Sequence, residues 1–225
     1  MNSTVSMYIA ILCFLSASVM SESASEEMTE IEISQMLTSE LDSFRDSTGL
    51  EQGGLAVLVS TPSEDWFASV GMGEDIGTDI HFRAASTTKT FTAASIMYLQ
   101  ETGLLDIDDP IFSNIPGTEM SYLPDTPEYD VPFKEMITIR QLLGHRAGVF
   151  DISNEVIPDS VDAPYAGLNY IEYVRSVTGD DNHTFTFDEM VGVVAANGLA
   201  YWEPGGDFHY SNTGYSMLGK IIERV

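Results

Sequence analysis

The sequence predicts a mixed α/β (α+β) fold, a sheet domain with a helical insertion. Three observations carry this expectation. Two short apolar runs, 53–60 and 65–71, flank Thr61-Pro62-Ser63 and read as a β-hairpin. The middle of the chain is dominated by helical periodicity. From about Asn212 onward, Tyr215, Leu218, Ile222 and Val225 again recur at helical spacing. With 225 residues, 44% of them hydrophobic, the chain can bury a sizeable core.

Taken in order, the first 25 residues stand apart. Met7 to Met20 is an apolar run of 14, short for a membrane span, followed by small residues and then an acidic stretch. This pattern predicts a secretory signal peptide over 1–25 and an extracytoplasmic protein. No basic residue precedes the run, so an uncleaved N-terminal anchor is the alternative. Cys13, the only cysteine, lies inside the run behind Leu12 rather than a small residue, which argues against lipid attachment. A processed chain would carry no disulfide and no thiol chemistry.

Ile33, Leu37, Leu41 and Phe44 predict a first amphipathic helix ending near Gly49. After the hairpin, a short extended piece leads into a helix from Thr87 to about Thr102, closed by Gly103. Phe91, Ala93, Ala94, Ile96, Met97 and Leu99 make it apolar nearly all round, so it is expected to be buried centrally. The proline-rich stretch 110–135 reads as loop and 137–145 as a short helix. Thr186 and Glu189 form a capping-box pair for a helix over 187–197, which Gly198 ends. The tyrosines of "APYAGLNYIEYV" (163–174) are assigned to helix packing rather than to lining a pocket.

Charge excludes whole classes of partner. Nine Lys plus Arg against 35 Asp plus Glu gives a net charge of −26, a field that repels nucleic acid and anionic membranes. The acidic residues read as a solvated surface. No Asp-x-Asp-x-Asp-Gly loop for calcium is present, and "DIDDP" (106–110) reads as a turn.

The chemistry begins at Ser86 and Lys89. Three apart at a helix start, they share one face and place a hydroxyl beside an amine. A serine hydroxyl is a weak nucleophile that needs a base. A free lysine, with a pKa of about 10.4, cannot serve near neutrality. Desolvation in an apolar helix and the positive helix N-terminus both favour the neutral amine. The bland alternative is a lysine snorkelling to solvent with Ser86 as an N-cap. A second signal comes in "EPGGDFHYSNTGYSMLGKIIE" (203–223), where Tyr210 and Asn212 flank the start of the last helix. A phenol beside an amine can relay a proton, and a carboxamide can orient both lysine and substrate. Their bland alternatives are a core aromatic and a helix N-cap.

With Ser86-x-x-Lys89 and Tyr210-Ser211-Asn212 in this order, the sequence resembles the serine β-lactamase and penicillin-binding superfamily. The likeness is to its branch of class C β-lactamases, D-Ala-D-Ala carboxypeptidases and related esterases. "FRAASTTKTFTA" is similar to the nucleophile segment of that family, and "LLGHRAGVFD" (142–151) resembles its His-x-x-Gly landmark. The resemblance implies an antiparallel sheet flanked by helices plus a helical lobe, of the β-lactamase/transpeptidase type, over 26–225. It implies that Ser86 is acylated, that Lys89 is its base or proton shuttle, that Tyr210 passes the proton onward and that Asn212 holds the substrate amide. The backbone N–H of Ser86 would form half of the oxyanion hole. His145 and Arg146 fall on a landmark taken as structural. No cofactor or metal is implied: His81, His183 and His209 lack zinc-ligand spacing. There is no Gly-x-Ser-x-Gly elbow either.

Two departures stand out. Ala85 occupies a position where the family often has glycine, a mild change. The third family motif, Lys/His-x-Gly on a sheet strand, is expected beyond Val225, together with the strands that complete the sheet. On that expectation the domain is C-terminally incomplete and the 225-residue chain is inactive or nearly so, since even one lost oxyanion donor costs about 10²–10³ in rate. The implied activity is a secreted serine hydrolase acting through an acyl-enzyme on a D-Ala-D-Ala peptide, a β-lactam or an ester. These share the nucleophile machinery, and pocket shape separates them. The other readings are a non-catalytic binding or scaffold protein that keeps the fold, and an inactive fragment. N-terminal sequencing of the secreted protein is expected to begin near residue 26; an intact Met1 would overturn the cleavage.

Overall fold

In the computed structural model the described residues are 30–51, 53–60, 62, 65–73 and 76–225. The signal-peptide and anchor readings, Cys13, and the residues either side of Pro62 lie outside them. The chain divides into two compact units, one up to Ala85 and one from Ser86.

The first unit holds helix α1 (Glu30–Thr48) and the antiparallel strands β1 (Leu55–Ser60) and β2 (Asp65–Val70), in register from Leu55↔Val70 to Ser60↔Asp65. This is the hairpin expected from the two apolar runs. α1 lies mainly against β2, and the predicted stripe faces inward: Ile33 and Leu41 are buried along with Ala68, while Leu37 and Phe44 are half-buried.

The second unit is helical and holds the main core. It contains α2 (Thr88–Glu101), α3 (Ile139–Leu143), α4 (Tyr170–Thr178), α5 (Phe187–Ala196) and α6 (Asn212–Arg224), with a short 3-10 turn at Pro127–Tyr129. α6 is the hub, packing on α2, α3 and α5. Its buried side is set by Thr213, Gly214, Met217, Leu218 and Ile221. Tyr215, Ile222 and Val225 are only partly buried, so the stripe expected from them is rotated by about one residue. A hydrophobic methionine at 217 and the small Gly214, which α3 approaches through Leu142, decide that rotation.

Two further expectations change, and a third is met with an addition. α2 is not buried all round: Ile96 is its one buried residue, while Phe91 and Tyr98 are 66% and 65% exposed. Burying both faces of a helix takes packing layers on two sides. Within this unit the helix that packs on α2 is α6, on one side. The stretch 110–135 has little regular structure, as expected of a loop, and it also carries core residues. Ile111, Ile115, Tyr122, Leu123, Tyr129 and Val131 are all buried in it, and its backbone pairs with 137–139 through Ile111 N–H to Ile137 O and Ile139 N–H to Asp109 O. The Thr186–Glu189 capping box is half formed. Thr186 Oγ1 accepts from Glu189 N–H, but the Glu189 carboxylate takes the Tyr170 hydroxyl and His183 instead. The complete box belongs to Thr138 and Gln141 at the start of α3.

The tyrosines of 163–174 pack as expected. Tyr165 meets Tyr170 and Tyr173 edge-on at 5.3 and 5.7 Å, and its hydroxyl accepts from Asn197. Deeper in the core, Tyr129 donates to Asp188 at 2.6 Å, and Asp188 in turn pairs with Lys220. Burial and the adjoining Asp188 carboxylate push the Tyr129 phenol far up.

One backbone approach fixes the loop after α3. Gly148 has φ +69, and a Cβ there would overlap the carbonyl oxygen of Trp202; its own carbonyl accepts from Tyr201 N–H at 2.8 Å. Any side chain meets both a forbidden dihedral and a blocked space. Gly148→Ala is expected to cost at least about 2 kcal/mol. For a domain of this size that lowers the melting temperature by roughly 5 °C or more. An unchanged melting temperature would show that this approach is relaxed in solution.

Candidate active site

Ser86 sits in a 3-10 turn, Ala85–Thr87, that feeds directly into α2. Ala85 before it has φ +46, the left-handed region, which costs a residue with a Cβ about 1–2 kcal/mol. That strain gives a physical reason for a glycine to be favoured there. Thr87 is the N-cap of α2 and makes no side-chain cap bond, so capping of α2 falls to neither Thr87 nor Ser86. The Ser86 side chain is exposed and turned to other partners.

The structure brings the four predicted residues together. Ser86 Oγ lies 2.7 Å from the Tyr210 hydroxyl, across 124 positions of sequence. Lys89 Nζ is 3.5 Å from Ser86 Oγ, the outer limit of a hydrogen bond, and donates to Asn212 Oδ1 at 2.5 Å. The amine also lies over the rings of Tyr210 and Tyr215, 5.0 and 5.6 Å from their centroids. Lys89 is half-buried and its amine points inward, which removes the snorkelling alternative. Asn212 is not the cap of α6. Ser211 is, accepting from Gly214 N–H at 3.0 Å, which frees the Asn212 carboxamide to face Lys89.

The loop 145–153 holds Tyr210 and Asn212 in place. His145 adopts φ +53 and stacks against the rings of Tyr210 and Tyr215 at 4.5 and 4.8 Å. Its Nδ1 accepts from Ser211 N–H at 3.1 Å, and its backbone carbonyl accepts from His209 N–H. Arg146 reaches Gly206 O at 3.4 Å, and its carbonyl accepts from Gly205 N–H. The His145-to-Gly148 segment is therefore a clamp on the strand-like piece that carries Tyr210. Beyond it, Asp151 and Ser153 meet the far side of Asn212: Asn212 Nδ2 donates to Asp151 Oδ2 at 3.1 Å and to Ser153 Oγ at 2.7 Å. Tyr215 closes the other side of the amine and anchors its hydroxyl on Leu143 O at 3.1 Å. Asp151, Ser153 and Tyr215 were not predicted as site residues from the sequence, where Tyr215 figured only in the apolar stripe of the last helix. Asp151 and Ser153 follow the His-x-x-Gly segment directly, and that proximity was the available signal.

His183 lies apart from the four, and His209 meets them through the Tyr210 backbone carbonyl, 3.0 Å from its Nδ1. His183 contacts the Glu189 carboxylate at 3.1 Å, and His209 stacks on Tyr201 at 3.7 Å.

Fold and site together define a mixed α/β protein with a serine and a lysine one helical turn apart, facing a Tyr-Ser-Asn element. The family model described as Beta-lactamase matches residues 46–225, and the chain belongs to that family. Among curated relatives, Protein flp of Staphylococcus aureus (strain COL) is 32% identical over 145 residues, which cover 64% of this chain and 23% of that protein. Penicillin-binding protein 4* of Bacillus subtilis (strain 168) is 29% identical over 161 residues, 71% of this chain and 28% of that protein. Among solved structures, a D-stereospecific amidohydrolase from Streptomyces sp. superposes with a TM-score of 0.57 at 23% identity, over 84% of this chain and 49% of that one. The octameric penicillin-binding protein homologue from Pyrococcus abyssi gives 0.52 at 25% identity, over 84% of this chain and 38% of that one. The chain thus spans about a quarter of the length of these curated relatives and up to about half that of the structural ones. The predicted β-lactamase/transpeptidase-type fold is the fold found.

Burial and the Lys89 amine hold the His145 imidazole below its ordinary value, with Asp151 opposing. The Ser211 N–H bond to Nδ1 requires the neutral ring with its proton on Nε2. The sign follows from a folded value that is lowered. The neutral ring stabilises the fold above the ordinary histidine value of about 6.5, and this contribution is lost as pH falls through the folded value. Between about pH 7.5 and 5 the melting temperature should therefore fall more steeply in the wild type than in His145→Asn. Asparagine does not titrate and tolerates a left-handed backbone. Equal slopes would show that His145 does not couple to stability.

Proposed function

We propose that the protein is a serine hydrolase that cleaves an amide or ester bond through an acyl-enzyme, with Ser86 as nucleophile. One observation carries the reading: the Ser86 hydroxyl is held 2.7 Å from the Tyr210 phenol and 3.5 Å from the Lys89 amine at the entrance of a helix. Attack of Ser86 Oγ on a carbonyl carbon releases the hydroxyl proton. Lys89 or Tyr210, whichever carries a free lone pair in the reactive form, is within reach to take it. Negative charge then builds on the carbonyl oxygen, where the Ser86 backbone N–H and the positive end of α2 favour it. On collapse the C–N or C–O bond breaks, and the proton passes by way of Tyr210 to the leaving nitrogen or oxygen. Water then attacks the Ser86 ester by the same steps in reverse, releasing acid and free serine.

The substrate class follows from likeness rather than from geometry. Relatedness to a penicillin-binding protein over 71% of the chain supports a β-lactam ligand. The resemblance of the Ser86-x-x-Lys89 and Tyr210-Ser211-Asn212 motifs supports a D-Ala-D-Ala-type peptide or a small ester as alternatives. A small-molecule substrate also suits the charge of −26, which disfavours polyanionic partners. The apolar run and small residues of 1–25 support an extracytoplasmic location.

In the full-length protein, a fluorescent penicillin is expected to label the wild type covalently and to leave Ser86→Ala unlabelled. Far-UV circular dichroism should match between the two, because the Ser86 side chain is exposed and caps no helix. Covalent labelling of the alanine variant would overturn the assignment.

A further inference from the structure

We propose that Asp151 is a positioning residue whose buried carboxylate, together with Ser153, fixes the polarity of the Asn212 carboxamide and so aims an acceptor at Lys89. Asp151 is 1% exposed, and among the described residues it forms no ion pair with a lysine, arginine or histidine. Its charge is met by donors. Oδ1 accepts from Ser153 N–H at 3.1 Å and from the Ser153 hydroxyl at 2.7 Å. Oδ2 accepts from Asn154 Nδ2 at 2.8 Å and from Asn212 Nδ2 at 3.1 Å.

Each step is forced by donor and acceptor chemistry. A carboxylate only accepts, so the Asn212 carboxamide must turn its NH₂ toward Asp151. The Ser153 hydroxyl spends its single hydrogen on Asp151 Oδ1, so toward Asn212 it too can only accept, from Nδ2 at 2.7 Å. Both amide hydrogens are then engaged, and Oδ1 is left facing Lys89 Nζ at 2.5 Å. A turned-over carboxamide would set its oxygen against two acceptors and its NH₂ against the amine. The backbone adds rigidity, since Asp151 N–H donates to the Tyr201 hydroxyl at 3.1 Å and Ile152 N–H to the buried Thr213 Oγ1 at 3.4 Å. A buried carboxylate without an ion-pair partner is costly to keep for packing alone, where an apolar residue would serve.

The effect on rate rests on the serine-hydrolase reading; the effect on Lys89 does not, and the experiment separates them. The chain has three lysines, so competitive trace labelling with acetic anhydride across pH, read by peptide mass spectrometry, reports Lys89 against Lys134 and Lys220. In full-length Asp151→Asn, the pH profile of Lys89 acetylation should shift relative to both references. Acylation of Ser86 by fluorescent penicillin should fall on the order of 10²-fold, the scale of a displaced catalytic group. Ser153→Ala, which removes one acceptor, should move both readouts the same way by less. A folded Asp151→Asn protein with an unchanged Lys89 profile overturns the proposal, whatever its acylation rate. If Asp151→Asn does not fold, an unchanged profile in Ser153→Ala overturns it. A shifted profile in a protein that penicillin never acylates upholds the positioning role and counts against the hydrolase reading.

Discussion

The hydrogen bond from Lys89 to Asn212 is the constraint around which the helical unit is organised where α2 and α6 begin. It joins the first turn of α2 to the first turn of α6, two segments separated by 123 positions. A lysine on a helix otherwise extends to water, because its ammonium is strongly hydrated. Here the amine turns inward because a carboxamide oxygen and two aromatic faces wait for it. Its placement fixes Ser86 as well, since Tyr210 lies two residues before Asn212 and reaches the serine hydroxyl directly.

What holds Asn212 and Tyr210 is a loop under conformational constraint. His145 keeps a left-handed backbone at φ +53 and Gly148 one at +69, and the segment between them brackets the piece that carries Tyr210. Ala85 beside Ser86 has φ +46. Ala85 and His145, two non-glycine residues with left-handed backbones at one cluster of side chains, fit the general tendency of sparsely populated dihedrals to gather at functional sites, where the surrounding packing over-determines them. The supporting core is correspondingly tight. Leu142, Met217, Leu218 and Ile221 are fully buried beneath the site, and α6 packs against three neighbouring helices there.

Belonging to the Beta-lactamase family sets the fold, while the relatives differ widely in length and in what their names describe. Such variety is physically reasonable. One fold and one set of reactive side chains can serve many substrates, because selectivity depends on the walls around them. A serine hydroxyl within reach of an amine and a phenol is an arrangement suited to acyl transfer, and it does not by itself name a carbonyl compound.

Local patterns were legible in the sequence. The hairpin, the α1 stripe, the start of α2 and the pairing of Ser86 with Lys89 depend on neighbours within a few positions, and period and spacing report those. The family motifs added Tyr210 and Asn212 from far along the chain. Tertiary structure alone decided the rest. It rotated the α6 stripe onto Met217 and Ile221, turned the proline-rich 110–135 into core, left Phe91 and Tyr98 exposed on α2, and gave the cap of α6 to Ser211. It also set Asp151 and Ser153 behind Asn212. The physical reason is common to all of these: which side of an element is covered, and which polar groups meet, depends on partners brought together across the chain by packing. A sequence read along its length encodes such contacts without displaying them.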